Sequence, residues 1–174
     1  LNVPYDCGFA LVRDAEAHVT ALSPQGASYI IYGEAERDEF RWVPEYSRRA
    51  RGFASWAALR QLGREGVAAL VEGNCALAAR MADGLRAAGE DVGVEILNDV
   101  VLNQVLVRFA ARDGLSADER TREVIRRVQE DGTCWLSGTT WHGTAAMRIS
   151  VSNWSTTADD VDRSLAAILR AARG

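Results

Sequence analysis

The chain has 174 residues, 48% of them apolar, with twenty basic against twenty-four acidic side chains and a net charge of −4. That length holds one domain, or a small domain with part of another, and the composition is sufficient for a buried core. The arginines are scattered instead of clustering with aromatics, and no apolar run approaches the roughly 18 residues of a membrane span, so neither nucleic acid nor a bilayer is an expected partner.

Residues 8–13, Gly-Phe-Ala-Leu-Val-Arg, are a short apolar run between Asp6 and Asp14 and read as a buried strand of a mostly parallel sheet. Residues 23–46 follow without periodicity and contain Pro24, Gly26, Gly33 and Pro44. A loop of that length inside a compact protein is usually functional or mobile. From Phe53 the spacing of Phe53, Trp56, Ala57, Leu59 and Leu62 is helical; Gly63 and Gly66 interrupt it before Val67, Leu70, Val71, Leu77, Ala78, Met81 and Leu85 resume it. Two helices meeting at a glycine break are predicted, the second leaving its last turn at Gly89.

Beyond Gly93 the predicted pieces are short: strands at 94–97 and 101–109, a helix at 116–130, strands at 133–137 and 147–152, and a helix at 157–172. Ser116 with Glu119 makes a capping box, and Thr157 with Asp160 a comparable acidic helix start. Two strands and a helix, repeated once, imply an α+β layer with helices on one face of an antiparallel sheet.

Cys7, Cys75 and Cys134 are odd in number and widely spaced, so they read as buried apolar thiols of a reducing compartment, and cytoplasmic residence is expected. The first residues carry no basic stretch followed by an apolar one, so no secretory signal is visible. With His18 and His142 far apart and no Cys-x-x-Cys, no zinc site is expected.

Arg148 stands in an otherwise apolar run, residues 145–151, where a charge is costly unless paired. A planar guanidinium there could hold a carboxylate by two parallel hydrogen bonds. Alternation equally permits an arginine on the solvent face, with Met147, Ile149 and Val151 sharing the other. Ser47 precedes a helix start, whose amides can meet a phosphate, while Arg48, Arg49 and Arg51 beside it can equally make structural ion pairs at a dimer interface. His142, between Trp141 and Gly143, reads as a solvated turn histidine.

Four blocks of the chain resemble the group II pyridoxal-phosphate decarboxylases, the relatives of glutamate and aromatic amino acid decarboxylase. Leu-Asn-Val-Pro-Tyr-Asp at 1–6 is similar to the sequel of that family's cofactor-binding lysine, and Ala-Ser-Tyr-Ile at 27–30 to its mobile loop. Ser-Arg-Arg-Ala-Arg at 47–51, with Trp56 and Gly-Arg-Glu-Gly at 63–66, is close to its arginine-rich helix and glycine break. Met-Arg-Ile-Ser-Val-Ser-Asn at 147–153, with Thr156, Thr157 and Asp160, is similar to the arginine-bearing strand and final helix of its small domain.

The resemblance implies an α/β chain of the fold type I class of aspartate aminotransferase. Residues 1–88 would be the C-terminal remnant of the cofactor-binding large domain, and 89–174 a small α+β domain. It implies a homodimer with shared active sites, pyridoxal phosphate as cofactor, and a Schiff-base lysine two residues upstream of Leu1, so that this chain alone is expected to be inactive. Tyr29 would be the catalytic phenol on a closing loop, returning a proton to the former α-carbon, a general-acid contribution of typically about 10²–10⁴. Arg148 would bind the substrate carboxylate, and Ser47 would approach the cofactor of the neighbouring subunit. The implied reaction converts an L-amino acid into an amine and carbon dioxide. Alternatives are another fold type I enzyme, catalysing transamination, aldehyde synthesis or carbon–carbon lysis, or a non-catalytic dimerisation or binding module. Residues 135–141, Trp-Leu-Ser-Gly-Thr-Thr-Trp, do not reproduce the best-known members, so no substrate is carried over.

Overall fold

Asp14 sets the first helix, because its carboxylate accepts a hydrogen bond from the Ala17 amide at 3.0 Å and so occupies one of the free donors of the first turn of α1 (Ala15–Leu22). The computed structural model describes residues 4–23, 37–45 and 48–174. The chain divides into two compact units, one ending at Ala58 and the other beginning at Leu59.

In the first unit a 3-10 helix (Glu39–Trp42) lies against α1. His18 Nε2 is 3.1 Å from the Trp42 carbonyl oxygen, and the two rings meet edge to face at 5.4 Å. The Arg37 guanidinium covers the other ring, 4.2 Å from its centroid, an exposed cation–π contact worth about 0.5–1 kcal/mol. Arg51 Nε donates to the Asp6 carboxylate at 2.6 Å, and buried Ser55 donates to Cys7 Sγ at 3.2 Å. The strand expected at 8–13 does not form. The segment has no ladder partner among the described residues, and Leu11 is 98% exposed. A buried strand requires neighbours on both edges, and the run was read without any in view.

The helical run α2 (Arg51–Val92) is interrupted by non-helical backbone at Gly63 (φ 63°) and Gly89 (φ 53°), both at positions where the sequence predicts a break. Positive φ is open to glycine at little cost. Gly66, expected to share the first break, stays helical.

The second unit is a four-stranded antiparallel sheet with helices. Its strands, β1 (Val94–Ile96), β2 (Gln104–Phe109), β3 (Ser137–Trp141) and β4 (Thr144–Ser150), are arranged β1-β2-β4-β3. Helices α3 (Ala117–Asp131) and α4 (Ala158–Arg173) both begin with complete capping boxes, Ser116 with Glu119 and Thr157 with Asp160, as their sequences predict. Val105, Val107 and Phe109 of β2 and Met147 and Ile149 of β4 turn to one side. They bury themselves against Val124 and Val128 of α3, Ile168 of α4 and Met81 and Leu85 of α2. Each such burial is worth about 1.5–3 kcal/mol. The expected α+β layer, with helices on one face, is therefore the fold observed.

Arg120 fastens the margins of that core. The residue is 6% exposed, and its guanidinium donates to three carbonyls, Ala110 at 2.7 Å, Val92 at 3.0 Å and Ala172 at 3.1 Å. Burial is the main cause lowering its pKa from the ordinary arginine value.

The bounds of β2, β3 and β4 differ from the sequence reading. The ladder of β2 starts at Gln104 instead of 101, because the Asn98 side chain takes the ends of the strand: it accepts from the Leu106 amide at 2.8 Å and donates to the Gln104 carbonyl at 3.2 Å. The strand expected at 133–137 begins only at Ser137 and runs on to Trp141, and its partner starts at Thr144. The pairing Trp141↔Thr144 leaves His142 (φ 46°) and Gly143 (φ 80°) as a two-residue turn with both residues left-handed, which matches the twist of the flanking strands.

Candidate functional site

Strand β4 is interior to the sheet, with β2 on one side and β3 on the other. The run Thr-Ala-Ala-Met-Arg-Ile-Ser alternates, so Met147 and Ile149 face the helices and Arg148 faces away from them. The register sets Leu106 of β2 and Ser137 of β3 directly across from Arg148, giving a row Leu106, Arg148, Ser137 on the outer face. Leu106 is buried at 7% exposure, Ser137 is half-buried and Arg148 is exposed. Arg148 Nη2 donates to Ser137 Oγ at 3.4 Å, and among the described residues the guanidinium has no carboxylate partner. Arg108 on a neighbouring strand is different, since its Nη2 is held by Asp118 at 2.8 Å. Arg148 thus has the solvent-face placement that alternation permits, together with donors left free for a planar anion.

At the end of β4, reaching the side of the sheet that the helices cover, lies a cleft of about 180 Å³ whose lining includes Cys134, Trp135, Ile149, Asp160, Ser164 and Ile168. Burial pushes the Cys134 thiol up, against a hydrogen bond with Ser164 that lowers it, so the group is a thiol and a poor nucleophile at neutral pH. Asp160 is held below the usual carboxylate range, chiefly by its hydrogen bonds from Thr157, and so serves the helix start.

Tyr29 and Ser47 lie outside the described residues. Arg48 stands 4.0 Å from Glu45, and Arg51 holds Asp6 below the usual carboxylate range, both pairs being made within the chain. His142 sits in the β3–β4 turn with its ring edge-on to Trp141 at 4.7 Å, as a turn histidine should. Ser137 is the residue that sequence reasoning missed. Its signal was the β-branched and aromatic run Gly-Thr-Thr-Trp followed by His-Gly, a hairpin whose register fixes which residue meets Arg148.

Whether these residues could hold pyridoxal phosphate is answered by composition. All twenty basic residues are arginines, so no side chain of this chain can form an imine with the cofactor aldehyde. The residues present do not fit a covalently held cofactor.

No family profile and no curated protein sequence matches the chain. Solved structures do. The TDC of Oryza sativa, determined with PLP and tryptamine, superposes with a TM-score of 0.79 at 22% identity, over 92% of this chain and 34% of that one. The tryptophan decarboxylase of Catharanthus roseus, determined with L-tryptophan, gives 0.73 at 18% identity, over 87% and 30%. The 4-hydroxyphenylacetaldehyde synthase of Rhodiola rosea gives 0.70 at 22% identity, over 89% and 31%. The chain spans about a third of the length of these enzymes. The likenesses establish the fold, and it is the one the resemblance in the sequence implies.

Proposed function

We propose that this chain is the C-terminal portion of a group II pyridoxal-phosphate-dependent amino acid decarboxylase, whose intact form converts an L-amino acid into an amine and carbon dioxide. The observation that carries the reading is Arg148: an outward-facing guanidinium with no carboxylate partner among the described residues, on a fold shared with decarboxylases. In the intact enzyme the cofactor would be held by a lysine outside this sequence. Residues 1–88 would complete the large domain and 89–174 form the small one, in a cytoplasmic homodimer with shared active sites.

The contribution of this chain's own residues is placement and proton handling. Arg148 would fix the substrate carboxylate by paired hydrogen bonds made already in the ground state, so that losing them is read chiefly in KM. Tyr29 would hold the proton that is returned to the substrate carbon after carbon dioxide has left, and Ser47 would lie near the cofactor phosphate of the neighbouring subunit. A second reading, aldehyde formation, draws on the likeness to the Rhodiola rosea synthase. Tyr29 weighs for amine formation, since the family resemblance associates a phenylalanine there with the aldehyde route.

The test is made on the full-length enzyme with a panel of L-amino acids, following carbon dioxide, amine and aldehyde separately. Amine and carbon dioxide in equal amounts support decarboxylation. Tyr29→Phe should then cut amine formation by about 10²-fold or more while the absorbance of the bound cofactor is unchanged. Aldehyde in place of amine establishes the second reading, and no carbon dioxide from any substrate overturns both.

A further inference from the structure

The β3–β4 register places one hydroxyl, that of Ser137, directly across from Arg148, and the hydrogen bond from Arg148 Nη2 to Ser137 Oγ at 3.4 Å is the only side-chain bond of this guanidinium among the described residues. A long, flexible side chain on an open sheet face samples many rotamers, and ordering it on a ligand costs on the order of 0.5–1.5 kcal/mol. Two features restrict it here. Leu106, across β2 and largely buried, is an apolar neighbour that offers the guanidinium no acceptor, while Ser137 on the opposite side offers one. A single neutral acceptor can orient the fork through one nitrogen and leave its other donors free. A carboxylate in the same place would neutralise the charge and occupy the edge that a substrate needs.

We infer that Ser137 is a positioning residue for Arg148, holding the guanidinium by one edge so that its other edge is presented to a substrate carboxylate. The inference rests on the reading of Arg148 as the carboxylate-binding residue and deepens it by naming what orients that residue. Ser137 touches no reacting atom. It acts through the geometry of its neighbour, and its removal weakens ground-state binding more than turnover.

The experiment compares Ser137→Ala, Ser137→Thr and Arg148→Met in the full-length enzyme, measuring KM and kcat for the preferred amino acid together with the thermal midpoint. The expected result is a KM raised about 3- to 10-fold in Ser137→Ala, with kcat within about twofold and the midpoint unchanged. In Ser137→Thr, which keeps the hydroxyl and suits a strand, KM returns to within about twofold of the native value. If Arg148→Met raises KM and Ser137→Ala does not, the positioning role is overturned while the reading of Arg148 stands. If Arg148→Met leaves KM unchanged, the reading of Arg148 falls and the inference with it. A fall in kcat and midpoint that threonine does not restore would make Ser137 a packing residue and also overturn the proposal.

Discussion

Two arginines show how differently one residue type is used at different depths. Arg148 is exposed and, among the described residues, makes one long hydrogen bond, so its charge stays hydrated and its other donors stay available. Arg120 is buried and spends its donors on three carbonyls contributed by the end of α2, the chain just beyond β2 and the last turn of α4. The last of these is favourable twice over, because the C-terminus of a helix carries partial negative charge. Arg120→Met would leave three carbonyls without their donor, at about 1–3 kcal/mol for each that remains buried. The expected outcome is a loss of about 3 kcal/mol or more in urea unfolding, read as a lower midpoint at unchanged m-value. Arg120→Lys keeps the charge but cannot span three acceptors with a planar fork, and should recover less than half of the loss. A loss under about 0.5 kcal/mol for Arg120→Met would show that water satisfies these carbonyls.

At the scale of elements, the two C-terminal helices are held by local electrostatics that their sequences already display. Glu123 of α3 accepts hydrogen bonds from Arg126 and Arg127, and these hold its carboxyl at about 2, well below the ordinary value. Glu119 and Asp160 are lowered by the hydroxyl and backbone hydrogen bonds of their capping boxes. Because the folded values lie below the unfolded ones, the stability these groups confer is fully present above the unfolded carboxylate pKa. It is lost as pH falls through the folded values. For Glu123 the window runs from the ordinary glutamate value, 4.5, down to about 2. The thermal midpoint should therefore drop across that interval, and Glu123→Gln should flatten the drop. A midpoint that does not change between pH 5 and pH 2 would mean that these pairs are too solvated to count.

The capping boxes were legible because each depends on residues three apart in sequence. Likewise the breaks at Gly63 and Gly89 required only a residue that tolerates positive φ. The turn at His142 and Gly143 was legible, but the strands beside it were set too far from it, at 133–137 and 147–152, because a polar run such as Gly-Thr-Thr-Trp does not announce an edge strand. Residues 8–13 were misread because a continuous apolar run looks alike whether or not strands lie beside it.

For the molecule as a whole, the absence of lysine is the firmest chemical statement. Incubation of this chain with pyridoxal phosphate, followed by borohydride reduction and peptide mapping, should yield no side-chain pyridoxyl adduct. A stable adduct on an internal side chain would show that the chain carries its own cofactor site and that the reading of Arg148 has the wrong centre. The sequence by itself determined the order of helices and strands after Gly93, the caps that start α3 and α4, and the resemblance that named the fold. Each of these is written in local spacing, of 2, 3 or 3.6 residues, or in a contiguous motif. Only the tertiary structure decided that Ser137 and Leu106 flank Arg148, that Arg120 joins three distant carbonyls, and that Cys134 opens into a cleft beside β4. Those pairings depend on strand register and on how helices lie over a sheet. A shift of one residue in register reverses which side chains share a face, and the pairing of β2 with β4 joins segments too far apart in the chain for a local pattern to fix.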